Sequence, residues 1–209
     1  MNRKQLSFIL CICFSALIST ADAGDNRILG GLGYGGAGIN QNITSSNSLA
    51  AGQAVHRSEG PGVFMIGVER IMSEQTTVSI DHTRGFRLAP FSSGVSFTGF
   101  SGRYYFGSIP WGAKEITHEP TLTVIGPHFY VGVGAGLALG SISRPGDLVP
   151  DVTASGVYFG FRGGADIPLD SHGFGIRPEL MISQTMSSTI PDPSSLSLFS
   201  LGCQLYFQW

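Results

Sequence analysis

From residue 28 onward, apolar and polar residues alternate along much of the chain. The clearest stretch is the last: Phe199, Leu201, Cys203, Leu205, Phe207 and Trp209 share one parity, and Ser200, Gly202, Gln204, Tyr206 and Gln208 share the other. A period of two marks a β-strand with one apolar face. Breaks rich in Gly, Pro, Ser and Asp separate such segments. Eight strands are predicted: Ile28–Asn40, Val63–Ile71, Thr77–Leu88, Val95–Phe106, His128–Leu139, Val157–Leu169, Phe174–Gln184 and Leu196–Trp209. Helical periodicity is absent. The most apolar stretch after residue 23, Phe129–Ile142, carries four glycines at near-alternate positions, which suits a strand with a small-residue face. The fourth strand changes phase near Gly99, with Val95 and Phe97 on one parity and Phe100, Tyr104 and Phe106 on the other, which predicts a β-bulge.

The connections differ in length in a regular way. Gln41–Gly62 is long and polar, whereas Met72–Thr76 and Asp170–Gly173 are short. The links before the sixth and eighth strands are longer and rich in Pro, Asp and Ser. Short turns at one end and longer loops at the other are the habit of transmembrane barrels. Two links depart from it: Ala89–Gly94 is short where a loop is expected, and Gly107–Pro127 is long where a turn is expected. Residues Thr121–Ile125 of the latter extend the fifth strand in this reading.

Alternation alone does not say which face looks inward. The polar faces carry Glu69, Asp81, Arg103, Arg162, Asp166, Arg177 and Glu179 in mid-strand. Inside a narrow barrel these seven must pair into an ionic network, because an unpaired buried charge is costly. On charges alone they suit the solvated face of an ordinary sheet equally well. Two features favour lipid outside. Beyond residue 23 the chain has a single lysine, Lys114, whereas a water-facing sheet spreads lysines over its surface. Tyr34, Tyr104, Phe106, Phe129, Phe174, Phe207 and Trp209 fall near strand ends, as the aromatic girdles of a barrel do. Open edges cannot lie in lipid, so the strands must close. The expected fold is all-β, a closed eight-stranded antiparallel up-and-down transmembrane β-barrel over residues 24–209. Eight strands leave an interior that side chains just fill. Gly132, Gly134 and Gly136 would make room there for Tyr130, Tyr158, Arg162 and Arg177.

Composition agrees. Charged residues are 12% of the chain, against about 25% in a soluble domain. Residues 1–23 are expected to be a cleaved signal peptide. Arg3 and Lys4 precede the apolar run Leu6–Ile18, and Ala21-Asp22-Ala23 forms the cleavage site. Its loss takes two basic groups and one acidic group from the chain's 12 and 14, leaving a net charge of −3. That near-neutral balance excludes nucleic acid as the expected partner. Cys203 is then the only cysteine, so no internal disulfide forms.

The leader, the eight amphipathic strands, "YVGVGAGLAL", "GVYFGFRGGADIPL" and the terminal aromatic together resemble the small outer-membrane β-barrels of Gram-negative bacteria. That group holds the transmembrane domain of outer-membrane protein A and its X, W and opacity-type relatives. The resemblance runs over nearly all of residues 24–209. It implies a place in the outer membrane among its lipid and lipopolysaccharide. It also implies recognition by the barrel-assembly machinery through Leu201, Cys203, Leu205, Phe207 and Trp209. No peptidoglycan-binding module is expected after Trp209.

Candidate chemistry is sparse. His56-Arg57-Ser58 is similar to the H-x-S triplet of lipid A deacylase barrels but falls in the long first loop of this reading, with no evident group to orient the base. Asp81 and His82 are neighbours on a strand and face opposite sides. No metal-ligand spacing appears, "GGLGYGG" is not followed by a phosphate-binding helix, and no cofactor is expected. The seven interior charges serve either as filling that fixes the fold or as a gate, and filling is favoured. The expected function is a non-enzymatic, structural or adhesin-like role, in which outer loops meet a host or surface ligand. A narrow passive channel for small or apolar solutes is the alternative, and a lipid-modifying barrel comes third.

Overall fold

A computed structural model describes residues 26–42, 54–59, 62–86, 94–109, 126–142, 152–170, 173–185 and 194–209. Ala21 and Ala23 of the expected cleavage site, and Thr121–Ile125, lie outside them. The described chain forms nine strands: β1 Asn26–Asn42, β2 Ala54–Glu59, β3 Gly62–Ile71, β4 Thr76–Phe86, β5 Gly94–Tyr105, β6 His128–Ile142, β7 Val152–Pro168, β8 Phe174–Thr185 and β9 Ser194–Gln208.

Every described pairing is antiparallel, and β1 pairs with β9 from Arg27–Gln208 to Gln41–Ser194, which closes the sheet. β2 and β3 share one place in the barrel. Ala37 of β1 lies opposite Glu59 and Tyr34 lies opposite Gly62, in a single register. The barrel therefore has eight strand positions. From Ile28 the partners run Val68, Ile80, Phe100, Ala135, Phe159, Gln184 and Ser197; Ser197 pairs with Gly38, ten residues further along β1. Such a stagger tilts the strands, by about 35–45° in barrels generally.

Asn26, Trp209 and two short turns mark one end, called lower here. In the β3–β4 turn Ser73 Oγ and Thr76 Oγ1 are 2.6 Å apart. In the β7–β8 turn Phe174 N donates to Asp170 Oδ1 (2.9 Å), and Gly173 adopts φ 92°, which favours glycine. The long segment between β5 and β6 is also at the lower end. Residues 43–53, 87–93, 143–151 and 186–193 connect strands at the upper end.

Two expectations are corrected. Residues 54–59 are strand, so the first loop is shorter than Gln41–Gly62, and His56-Arg57-Ser58 lies on β2 opposite Asn40, Ile39 and Gly38. No bulge interrupts β5: its registers with β4 and β6 are constant through Gly99. Val95 and Phe97 are buried inside, while Phe100 and Tyr104 are exposed outside. The apparent change of phase arises because the upper interior is itself apolar.

The outer face is apolar over most of its height. Leu32, Val133, Phe161, Leu180, Leu201 and Leu205 are all exposed on it. Phe106, Phe129, Phe207 and Trp209 lie toward the lower end of that face, and Tyr34 lies higher.

Candidate functional site

The barrel interior holds the chemistry, and it divides into two halves. Among the described residues the buried charges of the lower half are four arginines and four carboxylates: Arg27, Arg103, Arg162 and Arg177 with Glu69, Asp81, Asp166 and Glu179. The set is formally neutral. Strand parity delivers each of them inward, and the registers bring residues distant in sequence to one level.

Glu69 sits at the centre. It meets Arg27 Nη1 at 3.2 Å, Arg103 Nη1 at 2.7 Å and Arg177 Nη2 at 2.8 Å. Asp166 accepts from Arg27 Nη1 (2.7 Å), Arg177 Nε (2.5 Å) and Tyr105 OH (2.8 Å). Glu179 accepts from Tyr130 OH (2.8 Å) and Gln204 Nε2 (3.0 Å), and its Oε2 lies 3.3 Å from Arg103 Nη2. Asp81 accepts from Ser101 Oγ (2.5 Å) and Ser79 Oγ (3.0 Å) and pairs with Arg162 Nη1 at 3.0 Å. Each carboxylate thus faces at least one arginine plus a further donor or second arginine, which offsets the large cost of burying it. Arg27 stands 5.0 Å from the centre of the Tyr206 ring, and Arg177 stands 5.3 Å from that of Tyr130. Glycines give these side chains room. A Cβ on Gly164 would fall 2.7 Å from Tyr130 OH, and one on Gly132 would fall 3.1 Å from Arg103 Cγ.

The upper half is largely apolar, with Thr83 and Thr185 also buried there. Ala37, Ile39, Val63, Met65, Val95, Phe97, Ala138, Ala154, Tyr158, Met181, Leu196 and Leu198 form one buried cluster. Phe97 and Tyr158 meet edge to face, 5.2 Å between ring centres. Below the ionic layer, Ile71, Tyr105, Tyr130 and Ile109 form a smaller buried group at the lower mouth. Ile109 N donates to Glu74 O (2.8 Å), which holds the start of the β5–β6 segment across that mouth.

A closed, staggered eight-strand barrel with an apolar outside and a charged, filled inside is a membrane-spanning design. Neisserial surface protein A, of Neisseria, aligns over 90% of this chain and 100% of its own, at 11% identity and a TM-score of 0.51. The fold is that of the small outer-membrane barrels. The N-terminal barrel domain of OprF from Pseudomonas aeruginosa covers 89% of this chain and 100% of its own (8% identity, TM-score 0.49). OprG from the same organism covers 90% and 99% (11%, 0.47). No protein-family model matches the chain, and no curated protein does.

Within this outer-membrane-type barrel the structure brings together all seven charges singled out from the sequence. It adds Arg27, Tyr105, Tyr130, Gln204 and Gln208 as partners. Arg27 stands one residue before the first predicted strand, and extending the alternation by one step would have found it. Leu201, Cys203, Leu205, Phe207 and Trp209 all face outward. Among the described residues no group of three or more His, Cys, Asp or Glu could hold a metal ion.

Proposed function

We propose that the chain is an integral protein of the bacterial outer membrane, that its barrel is a closed scaffold, and that it acts through the connections at its upper end. The filled interior carries this reading. Arg27, Glu69, Asp166 and Arg177 have no exposed surface, and a buried apolar cluster lies above them. Barrels of this kind keep short turns on the periplasmic side and longer loops outside, which supports an outward-facing upper end. A host or surface ligand would then meet residues 43–53, 87–93, 143–151 and 186–193. A narrow passive channel for small or apolar solutes would need an open path, which the ionic half opposes.

Deleting residues 43–53 in cells that display the protein should abolish surface binding and leave heat-modifiable gel mobility intact. Unchanged binding would contradict the adhesin-like role. The outward stripe Leu201, Cys203, Leu205, Phe207 and Trp209 is the proposed address for the barrel-assembly machinery. Trp209→Ala should reduce assembled barrel in cells while detergent refolding of purified protein is unaffected. Equal loss in both assays would mean a stability effect instead.

A further inference from the structure

One block of the outer face does not match lipid. On β4 and β5, His82 lies opposite Thr98 and Arg84 lies opposite Ser96. Apolar residues flank this two-by-two block on both sides. On β3, Ile66 pairs with His82 and Phe64 with Arg84. On β6, Leu137 pairs with Thr98 and Leu139 with Ser96. The four polar side chains therefore form a compact block with apolar neighbours on the adjoining strands, near the upper edge of the outer face. His82 Nδ1 and Thr98 Oγ1 are 2.7 Å apart, so two of the four are tied together. Arg84 is exposed, and no ion pair or hydrogen bond joins it to another described residue. Its guanidinium lies over Gly94, where a Cβ would fall 3.0 Å from Nη2 and 3.1 Å from Nε. The absence of a side chain at Gly94 lets the fork lie flat on the sheet.

An arginine on the lipid face costs about 2–4 kcal/mol at the bilayer centre and about 0–1 near the interface. Its remaining cost is removed by an anion, and a planar guanidinium binds a phosphate bidentately. We infer that the block is a docking site for the phosphate of a glycolipid in the outer leaflet, with Arg84 holding the phosphate and Ser96 beside it. His82 and Thr98 supply hydrogen-bonding groups just below, at the depth where sugar gives way to acyl chain. This inference rests on the proposed orientation, with the upper end outside.

The test uses the full mature barrel refolded in detergent, checked first by heat-modifiable mobility. Native mass spectrometry then measures retained bisphosphorylated lipid A, dephosphorylated lipid A and phosphatidylglycerol. The wild type should retain bisphosphorylated lipid A in preference to both others. Arg84→Gln should weaken that retention about tenfold, the worth of one charge-assisted contact. Arg70→Gln, on the lower half of the outer face, should leave it unchanged. Equal retention by the Arg84→Gln barrel, or no preference for the phosphorylated glycolipid, would overturn the site while leaving the membrane barrel standing. A chain that stays soluble and never becomes heat-modifiable would overturn both.

Discussion

The lower half of the barrel interior is ionic, and the upper half is largely apolar. The same eight strand positions enclose both halves. In the lower half each charged group is held by directional bonds, so that Glu69 serves three arginines at once. In the upper half Val95, Phe97, Leu196 and Leu198 are held by shape and exclusion of water. The difference teaches that a barrel core in lipid need not be polar throughout. It also implies that the two halves fail in different ways. A charge removed below leaves its partners stranded, whereas volume removed above leaves a cavity.

The largest expected effect breaks the ionic half. Glu69→Ala should cost about 3–5 kcal/mol, because it leaves buried arginines uncompensated. The urea midpoint of the folded barrel in micelles measures it. Next, Phe97→Ala should cost about 3 kcal/mol in the same assay, through transfer and cavity terms. A smaller effect separates the two mechanisms. Glu69→Ala combined with Arg103→Ala should cost less than the sum of the single changes, by about 1–2 kcal/mol, since the pair is in direct contact. Phe97→Ala combined with Glu69→Ala should be close to additive if the halves are independent. The smallest effect is Leu198→Met, a volume-conserving swap in the upper half, at less than about 1.5 kcal/mol. A large loss there would mean that the upper half is as exacting as the lower.

The strands were legible in the sequence because lipid outside and charge inside impose a strict period of two, seen most plainly in Phe199–Trp209. What misled was any place where the inside was apolar too. Val95 and Phe97 look like lipid-facing residues by type, and only the register shows them inside. Residues 54–59 read as loop because Gly60-Pro61 separates them from β3, although the pairing with β1 keeps one register across that gap. The seven charges could be found by parity. Arg27 lies one step outside the first predicted strand; β1 begins at Asn26 and pairs with β9, which brings Arg27 Nε within 2.8 Å of Gln208 Oε1. Tyr105 was hidden beside Tyr104, since only the alternation of the strand says which of the two rings points in. The polar block on β4 and β5 needs neighbouring strands to define it, and no single-strand pattern marks it.

The central claim is that the two halves together close the barrel. Planar-bilayer recording of the refolded, heat-modifiable protein tests it most directly. A closed scaffold predicts a membrane without discrete conductance steps, and steps that appear only after Glu69→Ala or Phe97→Ala would agree with it. Stable unitary conductance from the wild-type protein would contradict the account.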